Sequence, residues 1–298
     1  MSNVLMVRPV RFGFNEQTAG SNSFQQPTAS VSAESIQLKA LEEFDAFSST
    51  LIASGIDVKI IEDTNHPLTP DSIFPNNWIS FHENNKLVVY PMLAENRRLE
   101  RREDIINIFR KKNTTLIDLS KFESENMFLE GTGSIVFDYT NKIAYANISP
   151  RTDKQLFYQL CKQLGYQSIT FKAVDSKKTD IYHTNVLMSI GHGFSVLCED
   201  CIIDKNDLKK VKKSLKESNH EIISISYKQM NSFAGNIYQL YNFEGKSLIV
   251  LSEQAYKSLK VDQIKKLEQY GKLLHIPLYT IEQYGGGSAR CMLAEIKY

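Results

Sequence analysis

Several features that mark specialised classes of protein are scarce or absent in this sequence of 298 residues. Four cysteines are too few for a disulfide framework in a chain of this length, so we expect reduced thiols and a cytoplasmic protein. No run approaches the roughly 18 apolar residues that a membrane-spanning helix needs. Arg8 and Arg11 interrupt the apolar N-terminal stretch, which argues against a signal peptide.

Neither sign of charge is in excess. The chain has 35 Lys and Arg residues and 34 Asp and Glu residues, which leaves a formal net charge of +1. A nucleic acid or an anionic membrane surface is usually bound through a basic excess, so the sequence predicts neither as a partner. The hydrophobic fraction of 42% and the charged fraction of 23% are those of an ordinary globular protein.

A repeated pair of short strands is the main pattern that is present. Period-two alternation around a central turn predicts four hairpins, with one further strand near the C-terminus. The predicted strands are residues 78–81 with 86–90, 134–137 with 142–146, 186–189 with 194–197, 237–241 with 246–251, and 292–296 alone. The residues just before the first strands are Asn77, Gly133, Asn185, Asn236 and Cys291, at intervals of 56, 52, 51 and 55 residues. The near-constant interval indicates a repeated structural unit.

A helix and a further strand are predicted between successive hairpins. Amphipathic stretches predict helices at 33–54, 99–112, 153–164, 207–217 and 261–270. Short β-branched runs predict strands at 58–61, 114–119, 169–171, 222–225 and 277–281. About five ββαβ units, each burying one face against the next, would close around a pseudo-fivefold axis as a single α/β-propeller domain over residues 1–298. A two-domain α+β protein with accidental regularity is the alternative.

Loops just ahead of the first strands would share one cleft around such an axis. Near these positions the sequence has Asp71, Asn77, Glu130, His183, Asn185 and Cys291. A cysteine, a histidine and a glutamate brought together would supply a nucleophile, a general acid–base and an orienting carboxylate. Each of these three residues alone also has an ordinary structural interpretation. The glycines at 285–287 favour function, because three glycines suit a sharp turn or a close approach of backbone to ligand.

Other candidate motifs are less specific. Cys198 and Cys201 have the spacing of metal ligands, but the sequence has no second CxxC motif or histidine pair to complete a zinc site, which argues against zinc binding. Residues 131–133 (GTG) are too short for a phosphate-binding loop and lack its lysine. The lysines at 209–216 are best interpreted as a solvated helix face.

Five motifs together resemble those of the guanidine-modifying superfamily. This superfamily includes arginine deiminases, dimethylarginine hydrolases, agmatine deiminases and amidinotransferases, and it adopts the five-bladed α/β-propeller called the pentein fold. The similar stretches are DSIFPNN at 71–77 for D-x-x-F-x-E-D, LEG at 129–131 for L-[DE]-G-G, SPRT at 149–152 for S-x-R-T, HTN at 183–185 for H-x-D, and GGGSARC at 285–291 for GGG-x-x-x-C. They follow the family order at the repeat positions, so the resemblance covers nearly the whole chain.

The resemblance implies a role for each matched residue. Cys291 would attack the terminal carbon of the substrate, His183 would protonate the departing nitrogen and then activate water, and Glu130 would hold His183 or a substrate nitrogen. Arg151 would bind the substrate α-carboxylate. The remaining substrate-binding residues implied by the matched motifs are Asp71, Phe74, Asn76, Asn77, Asn185 and either Arg97 or Arg98. The partner would be a small amino acid, no metal or organic cofactor is implied, and a homo-oligomer is compatible with the resemblance.

Three departures from the family pattern concern the substrate. Asn76, Asn77 and Asn185 stand where relatives that act on arginine have carboxylates. A guanidinium is a cationic fork of donors, whereas a ureido group is neutral and has a carbonyl acceptor, which an amide side chain can satisfy. The residue types therefore favour citrulline, hydrolysed to ornithine, carbon dioxide and ammonia. Two alternatives stay open: a guanidine substrate met by Asp71, for deimination, methylarginine hydrolysis or amidino transfer, and a non-catalytic pentein binding module.

Overall fold

The computed structural model describes residues 1–26 and 31–297, and within them the strands form small sheets of three. Alternating apolar residues bounded by turns produce strands of only a few residues each. In chain order the strands of the described ranges are β1 Asn3–Arg8, β2 Asp57–Glu62, β3 Ile79–His82, β4 Lys86–Val89, β5 Thr115–Asp118, β6 Ile135–Asp138, β7 Ile143–Asn147, β8 Gln167–Phe171, β9 Met188–Gly191, β10 Phe194–Leu197, β11 Glu221–Ser224, β12 Tyr238–Tyr241, β13 Ser247–Ser252, β14 Lys272–Ile276 and β15 Ala294–Ile296.

Each sheet has the same topology. Two strands pair antiparallel as a hairpin, and a third strand pairs parallel to the second. The sheets have the orders β15-β1-β2, β3-β4-β5, β6-β7-β8, β9-β10-β11 and β12-β13-β14. The first strands contact one another around a central axis, β15 with β3, β6 with β9, and β9 with β12. The five-bladed α/β-propeller predicted from the sequence is confirmed.

Helices connect the second strand of each sheet to the third, because parallel neighbours need a crossover. The α-helices in the described ranges are α1 Glu16–Ala19, α2 Ala33–Ala53, α3 Glu95–Arg98, α4 Glu103–Phe109, α5 Gly131–Ser134, α6 Lys154–Leu164, α7 Thr184–Leu187, α8 Lys205–Glu217, α9 Tyr227–Asn231, α10 Glu253–Ser258, α11 Val261–Glu268 and α12 Tyr279–Gly285. Short 3₁₀ helices occur at Pro75–Asn77, Ser120–Glu125, Glu199–Cys201 and Ala289–Met292. None of the helices in this part of the chain combines the length and the apolar character needed to cross a membrane.

Side-chain caps and apolar faces fix the longer helices. Ser32, Asp153 and Asp204 precede α2, α6 and α8, and each accepts a backbone N–H from the first helical turn. Phe44 and Phe47 of α2 are fully buried in the cluster that also contains residues of β1. These contacts hold the crossover helices against the sheets, so the loops that enter the first strands have fixed positions.

The fifth sheet is completed by the N-terminus of the chain. The sequence predicts only one strand, at 292–296, for the fifth hairpin. In the structure β15 pairs antiparallel with β1, as in the partners Leu5 and Ala294, and β1 pairs parallel with β2. The N-terminal strand is therefore the missing second strand, and its pairing closes the ring.

Two sequence predictions about segments are wrong. The strand expected at 277–281 is β14 Lys272–Ile276, because Pro277 has no N–H for the ladder and α12 starts soon after it. The Glu43 carboxylate accepts the N–H groups of Thr280 and Ile281 at 2.8 and 2.9 Å, which stabilises the start of α12. The helix expected at 99–112 is only the shorter α4 Glu103–Phe109, and the separate short helix α3 Glu95–Arg98 ends before the predicted range. Arg102 between them is extended, with acidic residues in the first turn of α4.

A further correction concerns the starts of the first strands. The strand predicted at 186–189 is β9 Met188–Gly191, because Thr184–Leu187 forms the short helix α7. Similar helical turns precede β3, β6 and β15. These turns carry the residues that face the axis.

His82 on β3 is buried, and none of the described residues pairs a carboxylate with it. Its Nε2 lies 2.8 Å from Oγ of Ser80, which lies 2.6 Å from the Tyr90 hydroxyl. Burial, with a smaller contribution from Lys297, lowers the pKa of His82 to about 3. The folded protein therefore holds His82 neutral over a pH range in which the unfolded chain protonates it.

We expect this histidine to weaken the fold in mild acid. The unfolded state takes up a proton below about pH 6.5 and the folded state does not, so stability is lost as pH falls through that value. At pH 5 the loss from His82 is about 2 kcal/mol, from about 1.4 kcal/mol for each pH unit below 6.5. Urea unfolding at pH 7.5 and pH 5 should show a smaller pH-dependent loss in His82→Gln than in the wild type. Equal losses in the two proteins would contradict the assignment.

Candidate active site

A small cavity lies at the end of the axis where the helical turns converge. The sequence-predicted residues that line it are Asp71, Phe74, Asn77, Arg97, Arg151, His183 and Cys291. Asn77 precedes β3, His183 precedes β9, and Cys291 precedes β15. Residues far apart in the chain therefore meet because each occupies a corresponding position in its repeat.

The glycines at 285–287 bring the backbone close to other residues of the cavity. Gly286 has a left-handed φ of +65°, and a Cβ there would lie 2.6 Å from Nδ2 of Asn22. A Cβ on Gly287 would lie 2.8 Å from the ring of Phe74. The Ser288 carbonyl then accepts the N–H of Cys291 at 2.9 Å, which starts the turn that presents the thiol.

Two side-chain amides donate to the sulfur of Cys291. Nδ2 of Asn185 lies 3.4 Å and Nδ2 of Asn236 lies 3.2 Å from Sγ. Oδ1 of Asn185 is buried and has no hydrogen-bond partner among the described residues. Asn236 is not among the sequence-predicted site residues, although it precedes β12 as Asn185 precedes β9. The repeat position was the signal that could have identified it.

Glu130 and His183 form a buried hydrogen-bonded pair. Oε2 of Glu130 lies 2.8 Å from Nε2 of His183, and Oε1 accepts the N–H of Leu93 at 3.1 Å. Burial opposes ionisation of Glu130, but Arg151 and His183 hold its pKa well below the usual range. Burial lowers the pKa of His183 to about 4, although Glu130 acts in the opposite direction. A carboxylate only accepts, so His183 donates from Nε2, and Nδ1 is the nitrogen with a lone pair for proton transfer.

Arg151 is buried between Glu130 and the N-terminal segment. Its Nη1 lies 3.3 Å from Oε2 of Glu130, and its guanidinium lies 4.8 Å from the centre of the Tyr182 ring. Nε and Nη2 donate to Oγ of Ser21 at 3.1 and 2.7 Å, and Nη2 also donates to the Thr18 carbonyl at 3.3 Å. The edge of the guanidinium suited to a bidentate ligand therefore faces Ser21.

Arg97, not Arg98, lines the cavity. Nε and Nη2 of Arg97 bind the Glu100 carboxylate at 2.9 Å each, and Nη1 donates to Oδ1 of Asn77 at 2.8 Å. Arg98 donates to the carbonyls of Met92 and Leu93 on the outer side. The structure thus resolves the choice that the sequence left open.

The contact with Arg97 also fixes the orientation of the Asn77 amide. A guanidinium only donates, so Oδ1 of Asn77 must face it, and Nδ2 then points to Oδ1 of Asn76 at 2.9 Å. Nδ2 of Asn76 in turn lies 3.2 Å from Oγ1 of Thr132. Asn76 lies behind Asn77 and is not among the described residues that line the cavity.

Residues 15–26 cover the cavity, a feature that the sequence analysis did not identify. Asn15 donates to Oδ2 of Asp71 at 2.8 Å, and Asn22 donates to the Gly285 carbonyl at 3.3 Å. Burial raises the pKa of Asp71, while Arg97 and Asn15 act in the opposite direction. No sequence pattern in this segment pointed to the axis. In the ranges that the structure describes, no group of three or more His, Cys, Asp or Glu side chains could hold a metal ion.

The sequence and the fold both match known proteins. A protein-family model described as "N,N dimethylarginine dimethylhydrolase, eukaryotic" matches residues 8–298. A search of curated protein sequences gives no match.

Solved structures show the same architecture. The N-terminal domain of ArgZ, an arginine dihydrolase from the ornithine–ammonia cycle in cyanobacteria, solved as a Cys-to-Ser variant with substrate, is 17% identical, with a TM-score of 0.78 over 100% of this chain and 98% of that one. AgrE in complex with L-arginine is 16% identical at a TM-score of 0.78, over 100% of this chain and 40% of that one, so this chain spans about two fifths of AgrE. A dimethylarginine dimethylaminohydrolase adduct with S-methyl-L-thiocitrulline is 14% identical, with a TM-score of 0.66 over 99% and 100% of the two chains. At these identities the likeness shows a shared fold.

The close packing at Gly286 gives a prediction about the cysteine loop. Gly286→Ala should cost about 1–2 kcal/mol for the left-handed conformation, with an added loss from the contact with Asn22. Gly165→Ala is the matched control, because Gly165 has a φ of +79° but open space around its Cβ position. We expect both variants to lose stability in urea unfolding, and only Gly286→Ala to change the alkylation rate of Cys291. An unchanged alkylation rate in Gly286→Ala would show that the glycine does not position the thiol.

Proposed function

The chain belongs to the N,N-dimethylarginine dimethylhydrolase family, and we propose that it is a cysteine-dependent hydrolase whose substrate is citrulline. It is a hydrolase of carbon–nitrogen bonds other than peptide bonds, in a pentein fold. The proposed reaction gives ornithine, carbon dioxide and ammonia. The observation that carries this proposal is the pair of amides Asn77, which lines the cavity, and Asn185, which contacts the sulfur of Cys291. Both stand at positions where carboxylates would suit a guanidinium.

The hydrogen-bonding polarity of these amides supports a ureido group. Asn77 uses Oδ1 for Arg97 and one N–H of Nδ2 for Asn76, which leaves the second N–H of Nδ2 as a donor for a ligand. Asn185 has an unpartnered acceptor, Oδ1, next to Cys291. A ureido group offers one carbonyl acceptor and several N–H donors, whereas a guanidinium has donors only. The donor of Asn77 in the cavity and the acceptor of Asn185, whose amide contacts the sulfur, therefore suit the two kinds of group that a ureido substrate offers.

The charged side chains in and beside the cavity already have partners. Asp71 and Arg97 lie within 3.8 Å of each other, Arg97 also binds Glu100, and Arg151 is paired with Glu130. Citrulline is a zwitterion with a neutral end group, whereas arginine brings an additional positive charge that needs its own partner in a buried site.

In the proposed mechanism, Sγ of Cys291 attacks the ureido carbon. Nδ1 of His183 takes the thiol proton and passes it to the nitrogen that leaves, while Glu130 holds the imidazole through Nε2. Asn77 donates to the oxygen on which negative charge develops. Water, activated by His183, then attacks the carbon of the covalent adduct and restores the thiol. The released carbamate breaks down, so citrulline and one water give ornithine, carbon dioxide and ammonia.

Arg151 is the proposed partner of the substrate α-carboxylate. Its Nε and Nη2 now donate to Oγ of Ser21, which occupies the edge that a carboxylate would bind in a bidentate manner. Binding of the carboxylate would require Ser21 to withdraw. Residues 15–26 would therefore have to move for the substrate to enter.

Arginine hydrolysis is the second candidate, and two observations favour it. ArgZ, a structural neighbour at a TM-score of 0.78, is an arginine dihydrolase. Asp71 and Glu130 are buried carboxylates in or beside the cavity, and either could meet a guanidinium. Their engagement by Asn15, Arg97 and Arg151 argues that neither is free for that role.

Product analysis tests the proposed function. The purified protein should release ornithine and ammonia from citrulline, and little product from arginine, dimethylarginine or agmatine. Cys291→Ser should lose turnover while its unfolding curve stays unchanged, because a serine hydroxyl is a much weaker nucleophile than a thiol here. If citrulline accumulated from arginine, or dimethylamine from dimethylarginine, the substrate would be a guanidine compound and the citrulline proposal would be wrong. Full turnover in Cys291→Ser would eliminate the covalent mechanism.

The two amides give the sharpest prediction about specificity. The double variant Asn77→Asp, Asn185→Asp keeps the acceptor for Arg97 but turns the cavity donor into a second acceptor. We expect citrulline kcat/KM to fall about 100-fold or more, since a misplaced buried charge costs about 3 kcal/mol. The ratio of arginine to citrulline binding should rise. If both asparagines only stabilise the local backbone, that ratio will not change even though the protein becomes less stable.

A further inference from the structure

We propose that Asn236 binds the sulfur of Cys291 and stabilises it as a thiolate. The inference rests on the proposed function in one respect, namely that Cys291 is the nucleophile. Asn236 lies outside the matched motifs, and it contacts the reacting atom from the fourth repeat of the ring.

The backbone fixes the direction in which the Asn236 amide points. Its Oδ1 accepts the N–H of Arg290 at 3.0 Å, and a backbone N–H can only donate. The other end of the amide is therefore Nδ2, and the assignment does not depend on a choice between two equivalent orientations. Arg290 and Cys291 belong to the same turn, Ala289–Met292, so the residue that orients the amide is next to the residue that receives its hydrogen bond.

Both N–H groups of Nδ2 have an acceptor. One points to the carbonyl of Asn185 at 3.0 Å, and the other points to Sγ of Cys291 at 3.2 Å. Asn236 is fully buried, so water does not compete for these contacts. With Nδ2 of Asn185 at 3.4 Å, the sulfur has two amide donors from two different repeats.

Two donors on sulfur favour the thiolate over the thiol. A hydrogen bond to an ionised acceptor is roughly twice as strong as one to a neutral acceptor, and a thiol sulfur is a weak acceptor. The amides carry no charge, so they stabilise the thiolate without forming an ion pair that would have to be broken when sulfur attacks carbon. The amide of Asn236 does not titrate, so it donates a hydrogen bond to the sulfur but cannot take its proton. His183 retains the proton-transfer role.

Asn147 provides a matched control for a purely structural role. It is also fully buried, its Nδ2 donates to the Ile181 carbonyl, and its Oδ1 accepts the N–H of Ala173 at 2.7 Å. It differs from Asn236 in that its amide bonds only backbone groups. Replacing either residue by aspartate removes a buried donor, but only one replacement places an acceptor against sulfur.

The test measures alkylation of Cys291 by iodoacetamide as a function of pH, in the wild type, Asn236→Asp and Asn147→Asp. The Cys291 peptide is quantified by mass spectrometry, which separates it from the other thiols. We expect Asn236→Asp to alkylate about tenfold more slowly at pH 7, with its rate-versus-pH curve moved to higher pH, as a loss of thiolate requires. Asn147→Asp should be destabilised in urea but keep the wild-type curve.

The charged or titratable residues that line the cavity are Asp71, Arg97, Arg151, Tyr182 and His183, and they are the same in every variant. Asn236→Asp also adds a carboxylate beside the sulfur, and the charge of that carboxylate would by itself slow alkylation. Asn236→Ser, which is neutral and too short to reach the sulfur, isolates the loss of the amide donor. It should also slow alkylation, with its rate-versus-pH curve moved to higher pH.

The outcomes separate this proposal from the proposed function. A wild-type alkylation curve in a folded Asn236 variant overturns the proposal, as does an equal shift in Asn147→Asp. Alkylation needs no substrate, so a finding that the enzyme prefers arginine leaves the test of Asn236 intact. Turnover in Cys291→Ser would remove the nucleophilic role, while the alkylation curves would still decide whether Asn236 stabilises the thiolate.

Discussion

Backbone hydrogen bonds between β15 and β1 join the last strand of the described chain to the first. Leu5 faces Ala294 across this antiparallel pair, and β1 also pairs with β2, so one short strand holds both ends of the ring. Cys291 lies three residues before β15, and its position relative to Asn77 and His183 depends on this closure. A propeller without it would leave an exposed sheet edge and a nucleophile with no fixed neighbours.

Inside the ring, buried charges stabilise one another. Glu130 is held by His183, Arg151 and the Leu93 backbone, and Arg97 is held by Glu100 and Asn77. Burial raises the pKa of Glu100 to about 7 even though Arg97 opposes the shift. Burying such a network costs desolvation free energy. Removing one member destabilises the fold further, because the partner of that member is left as an uncompensated buried charge. The same network sets which side-chain atoms face the cavity, so electrostatics and specificity are coupled here.

Amides occupy the corresponding repeat positions Asn77, Asn185 and Asn236. The direction of two of them is set by an obligate donor, Arg97 for Asn77 and the Arg290 N–H for Asn236. An amide has a hydrogen-bond donor at one end and an acceptor at the other, and it adds no net charge. The neighbour that binds one end determines whether the donor or the acceptor faces the ligand or the sulfur. The site thus achieves directional hydrogen bonding around Cys291 without placing a carboxylate beside it.

The repeat, the ββαβ unit and the fold class could be predicted from the sequence. Period-two strands, amphipathic helices and the interval between units are local or near-local patterns, and they predict that Cys291, His183 and Asn77 share one cleft, as they do in the structure. Arg151 is predicted only from the resemblance to a superfamily motif. Four features could be seen only in the folded chain: the pairing of β1 with β15, the position of Arg97 rather than Arg98 at the cavity, the cover formed by residues 15–26, and the contact of Asn236 with sulfur. These depend on contacts between residues far apart in sequence, and on which end of an amide meets a donor. A single sequence has no local pattern that predicts long-range contacts or the orientation of an amide. The orientation of an amide depends on its hydrogen-bond partner, and only the closed ring brings that partner into contact.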